Sequence, residues 1–540
     1  MTALGSAGHQ VGRGMTMIKR NSAWGLGTCL VVAGVWGCGH VKHDGSNGNV
    51  AGSSGSGEAG VGAGTSGSAG SSGHPATDGG AAGAFAGGPG ELGIDPGSVG
   101  MRLLTRAQYR NTVSDLLGVD TATPMTSDAL PSDSGVISDL TPYFYIATQI
   151  TDLAFDSPVL PELLRCEATV TGHACAVAVI DAFGTRAFRR PLLPEQKAAF
   201  GKLYDNVIAS GQSHTVALKQ VVRGLLTSLQ FVFRVEPTDG SNGNEPYALD
   251  SYSMAARLSY LLWNTTPNAA LATAAANDAL RTEAGVKEQF DQLANDTRAK
   301  ALTSNLGAAW LGLDSLPKTT ENERPGVDAY LASFFANSTP FNQVLTLGSK
   351  PNDPMRSGLL GLPGVISAMS YPDRVSISRR GEYIATRLLC QAPLLSPPGS
   401  VTTTQKERHP LEAATQATTC RACHAQIDPW GYPLDHFNYD GAYRELYESY
   451  NTIDTTSTLP SGVVVTDEIS LSAALTAQPE LAACLARQLA ADPLGRALND
   501  QDASYLADLS EQFGDGAGLR DLYQHIALSV PFRYRRGSPQ

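Results

Sequence analysis

The run Cys420-Arg421-Ala422-Cys423-His424 has the residue types and the spacing for covalent haem attachment. On a helix, positions i, i+3 and i+4 share one face. Two thiols so placed can each form a thioether to a haem vinyl group, and the adjacent imidazole then meets the iron as proximal ligand. The second ring nitrogen of His424 needs an acceptor to fix the tautomer. A backbone carbonyl of Pro429-Trp430-Gly431-Tyr432-Pro433 is the expected source, with Pro429 ending a short helix. The cofactor expected is one covalent haem c on Cys420, Cys423 and His424. A zinc or other metal site, and no cofactor at all, stay open as alternatives. Zinc is disfavoured because a structural site needs four ligands, often from a second Cys/His pair, and the sequence offers none.

The second axial ligand is open. Many single-haem carriers use a methionine downstream of the motif, but no methionine follows Met369. Met369 itself is the sulfur candidate. His436 and His525 lie downstream and read as structural. An open iron position would favour redox catalysis or ligand sensing over plain electron transfer. Asp428 and Asp435 flank the motif and read as capping and turn residues. The sequence has no phosphate-cradling glycine loop, no His-Glu-x-x-His and no Gly-x-Ser-x-Gly between a strand and a helix, so no catalytic residue is assigned.

Haem c is attached outside the cytoplasm, so the N-terminus matters. Lys19 and Arg20 precede an apolar run at 24–37. Its length of about 14 residues fits a signal-peptide core and is too short to span a bilayer. It ends in Val35-Trp36-Gly37-Cys38, which resembles a bacterial lipoprotein signal with Cys38 as the acylated residue, although Trp36 departs from that pattern. Plain secretion and a buried apolar helix are the alternatives. The segment 39–98 is Gly/Ser-rich and has no Lys or Arg beyond residue 43. It cannot bury enough apolar surface to offset its chain entropy, and it reads as a flexible linker with a reach on the order of 40 Å.

Cysteine parity agrees with export. Of eight cysteines, Cys29 leaves with the signal, Cys38 is the lipidation candidate, and Cys420 and Cys423 go to haem. Cys166, Cys175, Cys390 and Cys484 remain, and an even remainder in an oxidising compartment points to two disulfides. Cys166–Cys175 are close in sequence, which leaves Cys390–Cys484. Four buried free thiols are the alternative.

The elements that must position the motif are helices. Thr105 and Gln108 make a capping box before Tyr109, Val113, Leu116 and Leu117, and Gly118 stops that helix. Pro194 opens a second, with Phe200, Leu203, Val207 and Ile208 inside and Gly211 closing it. A helical segment at 213–233 carries Val216, Val221, Leu225 and Leu229. Asp250 caps another over Met254, Leu258, Leu261 and Leu262, and Leu519, Leu522, Ile526 and Val530 continue the pattern. The run 459–465 is the best strand candidate. The expectation is an all-α or α-dominated multi-domain body behind a signal segment and a disordered Gly/Ser tether. With 39 basic and 51 acidic side chains the net charge is −12, which argues against nucleic acid as a partner. Apolar residues at 42% allow a large packed core.

Several segments resemble bacterial surface proteins of planctomycete and myxobacterial type, built from the consecutive domains of unknown function numbered 1587, 1595, 1592, 1588 and 1585. Arg102-Leu103-Leu104-Thr105-Arg106-Ala107-Gln108-Tyr109 is similar to the opening of the first. Phe183-Gly184-Thr185-Arg186-Ala187-Phe188-Arg189-Arg190-Pro191-Leu192 is similar to the second, and Arg257-Leu258-Ser259-Tyr260-Leu261-Leu262-Trp263 to the third. The fourth is matched by Arg380-Gly381, Leu388-Leu389-Cys390 and the haem motif through Ile427-Asp428-Pro429. The fifth is matched by Leu494-Gly495-Arg496-Ala497-Leu498 and Ser529-Val530-Pro531-Phe532-Arg533. The resemblance implies export, a helical body and a c-type haem, and no settled activity. Relatives often carry a histidine six residues before the first motif cysteine, where this chain has Ala414.

The expected division is 1–38 for the signal or lipoprotein segment and 39–98 for the linker. Helical domains follow at 99–165, 166–240 and 241–345, then the c-type haem domain at 346–450 and a C-terminal helical domain at 451–540. The reading that follows is an exported, lipid-anchored haem protein of a Gram-negative bacterium, at the outer membrane, the cell surface or in the periplasm. It would act in electron transfer or redox chemistry with a redox partner protein or small molecule, and touch the membrane only through its anchor. A non-catalytic cell-surface binding or structural module, possibly directed to polysaccharide, is the alternative. A peroxidase-like enzyme is weaker, because such enzymes often pair two haems and this chain has one motif.

Overall fold

The computed structural model describes residues 101–121, 139–158, 160–166, 169–237, 246–348, 358–393, 411–412 and 418–536, with Pro96 and Arg356. The signal segment with Cys38, the linker apart from Pro96, and Ala414 lie outside the described residues.

The body is α-dominated, and its helices begin and end on side-chain chemistry. Thr105 Oγ1 accepts from the Gln108 N–H at 3.1 Å, and Gln108 Oε1 accepts from the Thr105 N–H at 3.2 Å, closing the capping box of Arg106–Leu117. Gly118 ends that helix at φ +62°, a left-handed conformation that glycine adopts without a Cβ penalty. Asp250 accepts from the Ser253 N–H at 2.7 Å and caps Ser251–Leu262.

Two expectations about faces and length need correction. In Pro194–Ala209 the inner face centres on Gly201 and Tyr204, while Phe200, Leu203 and Val207 are half-buried and Ile208 is exposed. Gly224 of the neighbouring helix lets Phe200 and Leu203 lie against its backbone, which rotates Ile208 outward. The segment 213–233 is not one helix. It breaks at Ser228, whose backbone is extended (ψ 149°), into His214–Thr227 and Leu229–Val232, leaving Val216 half-buried and Leu229 exposed.

Strands are short and act as clasps. Arg102–Leu103 pairs antiparallel with Phe233–Arg234, and Pro246–Ala248 with Tyr534–Arg536. The 459–465 run is not a single strand. Ser457–Thr458 and Val464–Val465 form a hairpin that turns through Gly462 at φ +86°.

Among the described residues, two large apolar cores result, beside a small cluster of Ile377, Leu411 and Tyr432. One gathers buried side chains from Leu103 to Val232 and takes in Tyr260. The other gathers side chains from Leu249 to Phe532. The five body segments therefore pack mainly around two large cores. Tyr260 joins them: its hydroxyl lies 2.9 Å from Thr112 Oγ1 and accepts from Arg189 Nε at 2.9 Å. Disulfides join Cys166 to Cys175 and Cys390 to Cys484.

Candidate functional site

The motif lies on the helix Thr418–Gly431, packed against a bracing helix, Ile377–Tyr383. The bracing helix continues as a π-helical turn, Ile384–Leu388. Two glycines set how closely the pair approaches. A Cβ on Gly381 would lie 1.8 Å from the Ile427 carbonyl oxygen, and one on Gly431 would lie 2.1 Å from that of Ile377. No other residue fits either position.

Pro429 does not end the motif helix, contrary to expectation. The helix runs through it to Gly431. Proline removes one backbone hydrogen bond. Burial of Ile427, Trp430 and Gly431 against the bracing helix and the large core holds the last turn in place.

Cys420 and Cys423 are half-buried and carry no disulfide, whereas the other four described cysteines are all paired. One turn on, His424 Nδ1 lies 3.0 Å and 3.1 Å from the two Asp428 carboxylate oxygens and 3.2 Å from Ser378 Oγ of the bracing helix. A carboxylate only accepts, so Nδ1 carries the hydrogen and Nε2 keeps its lone pair when the ring is neutral. The acceptor is thus a side chain and not a carbonyl of 429–433, and Asp428 is not a cap. The hydrogen bond to Asp428 raises the His424 pKa above its ordinary value, against the effect of partial burial.

Asp435 sits in the turn that closes Tyr432–Leu434, as expected, its backbone N–H donating to the Tyr432 carbonyl at 3.0 Å. It is fully buried, accepting from Arg444 Nη2 at 2.9 Å and from the Tyr447 hydroxyl at 2.5 Å. Arg380, on the bracing helix and fully buried, donates to the carbonyls of Leu434 and Phe437 at 2.7 Å and 2.8 Å. Burial pushes its guanidinium down to about 10, so it stays charged at neutral pH. It ties the chain that leaves the motif helix back onto the brace.

The remaining candidates are spread out. Met369 lies wholly inside the large core, whereas the motif side chains are partly exposed. His436 Nδ1 donates to the Arg444 carbonyl at 2.8 Å, and its ring stacks on Tyr443. His525 Nε2 lies 2.6 Å from Asp508. The donor set at Cys420, Cys423 and His424 fits a covalent haem: two partly exposed cysteines outside any disulfide, and one imidazole nitrogen left over once the other is held. Trp430, seven residues beyond Cys423 and so on the same side of the helix, keeps a buried indole N–H without an acceptor. A haem propionate is the kind of group that would satisfy it. Sequence reasoning misread Asp428 as a cap and missed Ser378. For Asp428 the i, i+4 spacing from His424 was the available signal. For Ser378, distant in the chain, there was none.

Comparison with family models divides the chain into five consecutive matches, each described as a protein of unknown function: DUF1587 over 102–137, DUF1595 over 175–236, DUF1592 over 249–345, DUF1588 over 356–447 and DUF1585 over 461–532. The chain belongs to the family built from these five domains. In it, the motif helix and its brace both fall within DUF1588, and the Tyr260 junction joins DUF1587 and DUF1595 to DUF1592. No curated protein and no solved structure matches the chain.

Proposed function

We propose that this chain is an exported, lipid-anchored c-type haem protein that acts in electron transfer or redox chemistry. The observation that carries the reading is the motif helix itself. It holds Cys420 and Cys423 outside any disulfide at haem-attachment spacing, and a histidine whose Nδ1 is held by a buried carboxylate. The short name of the DUF1588 model, PSCyt3, points the same way. Cys420 and Cys423 would each add S–H across a haem vinyl group with nothing lost. His424 would present Nε2 to the iron, while Asp428 and Ser378 hold the ring's orientation and Asp428 raises its basicity. Bound there, the haem supplies a one-electron couple. Export and anchoring rest on the apolar run 24–37 and Cys38.

The test is to express the full chain in a host with c-type maturation machinery and record a pyridine haemochrome spectrum and an intact mass. A c-type band with one added haem, absent from the Cys420→Ala/Cys423→Ala variant, is expected. Membrane retention should be lost in Cys38→Ala. A colourless protein of apo mass, beside a control that matures in the same cells, overturns the haem and leaves a surface-binding or structural module.

A further inference from the structure

Although the chain carries a net charge of −12, it concentrates cations at one point. Arg189, Arg190, Arg234 and Arg257 line a small cavity of about 20 Å³ in which Glu236 is the single carboxylate. Arg535 joins them, donating to the Glu236 carbonyl at 2.8 Å with its guanidinium 3.7 Å from the carboxylate. The cavity sits where DUF1595 meets DUF1592.

Three of these arginines are already engaged. Arg189 donates to the Tyr260 hydroxyl and to the carbonyls of Gln230, Phe231 and Phe233. Arg257 grips Glu236 through two bonds, at 2.5 Å and 2.7 Å, and the Phe532 carbonyl through a third. Arg535 shares the same glutamate. Glu236 is therefore spent as a counter-charge.

Arg190 and Arg234 are left over. The Arg234 guanidinium lies over the Tyr260 ring, 5.1 Å from its centroid, with Nε and Nη2 sealed from solvent and without an acceptor. Burial, and then the neighbouring Arg102, push it down to about 9, so it remains a cation at neutral pH. Pairing of Phe233–Arg234 with Arg102–Leu103 fixes the backbone that delivers it. Among the described residues, the Arg190 side chain meets no carboxylate. Asp492 and Glu236 act on the Arg234 charge from a distance but accept none of its buried N–H groups; a desolvated guanidinium N–H without an acceptor is costly, and two guanidinium forks on one cavity match a dianion with several oxygens.

We infer that this cavity is a phosphate-binding site, in which one oxygen of a phosphate or phosphate monoester enters between Arg190 and Arg234. The space holds about one water-sized atom, so the rest of the group stays at the mouth. A monoester can thus carry any small substituent outward.

The test is calorimetric titration of the full chain with inorganic phosphate at constant ionic strength. One saturable site is expected. Arg190→Gln should weaken it at least about tenfold, the scale of one lost charge-assisted hydrogen bond, and Arg234→Gln, if it folds, by as much or more. Lys300→Gln, an exposed cation elsewhere, should leave it unchanged. Heat that does not saturate, an affinity that Arg190→Gln leaves within a few-fold of wild type, or equal weakening by Lys300→Gln overturns the assignment.

Discussion

At the scale of the residue, the site turns on which nitrogen of His424 is held. Asp428 is almost wholly buried, with its carboxylate on Nδ1, so the ring's protonation is coupled to that one neighbour. In the haem-free chain, Asp428→Ala should bring the His424 pKa down from its raised value toward or below the ordinary histidine value of about 6.5. An NMR titration of the imidazole resonances reads this directly, and an unshifted titration would refute the coupling. The stability consequence has a defined sign. A raised folded-state pKa contributes stability that is fully present below the unfolded value of about 6.5 and is lost as pH rises through the folded value. The gap between wild type and Asp428→Ala in urea midpoint should therefore be wider at pH 6 than at pH 9. The motif was legible in the sequence because thioether attachment demands a fixed spacing. Asp428 was misread because an aspartate before a proline looks like a cap until the helix is known to continue past it. Ser378 reaches the ring only through packing, which no local pattern encodes.

At the scale of the element, Ser378 is useful only if the bracing helix lies close to the motif helix, and Gly381 and Gly431 allow this. At both positions a methyl group would strike a backbone carbonyl, which cannot rotate away as a side chain can. Gly381→Ala and Gly431→Ala should each cost about 3 kcal/mol, the upper range for overpacking, and should lower haem loading by spreading the two helices. Gly326, where an added Cβ meets nothing within 4 Å, is the control: Gly326→Ala should be neutral or stabilise by up to about 1 kcal/mol through helix propensity. Urea denaturation of the three variants checks this, and equal effects at all three positions would show that the crossing is not glycine-dependent. Helix starts were readable here because Thr105, Pro194 and Asp250 act through their nearest backbone neighbours. The breaks were not. Pro429 is tolerated because tertiary burial outweighs one lost hydrogen bond, and the extended backbone at Ser228 interrupts a segment whose apolar spacing still reads as helix.

At the scale of the whole molecule, five family domains share two large cores, so covalent links differ in what they restrain. Cys166–Cys175 has a sequence separation of 9 and lies beside the first core. Cys390–Cys484 has a separation of 94, and links the chain just beyond the π-turn of the bracing helix, in DUF1588, to the helix Pro479–Leu494 in DUF1585. Cys175 and Cys484 are both buried, at 4% and 1% exposure, so replacing either by alanine removes a similar amount of packing. The difference should then come from the unfolded chain. Loop-closure entropy grows as about 1.5 RT times the logarithm of loop length, which for these two separations amounts to about 2 kcal/mol in favour of the longer link. Cys390→Ala/Cys484→Ala should therefore lose about 2 kcal/mol more than Cys166→Ala/Cys175→Ala in urea unfolding at equal pH. Equal losses would mean that residual structure in the unfolded chain already holds the two halves of the longer loop together. A larger loss from the short link would mean that the first core, and not the brace behind the motif, sets the stability of the whole.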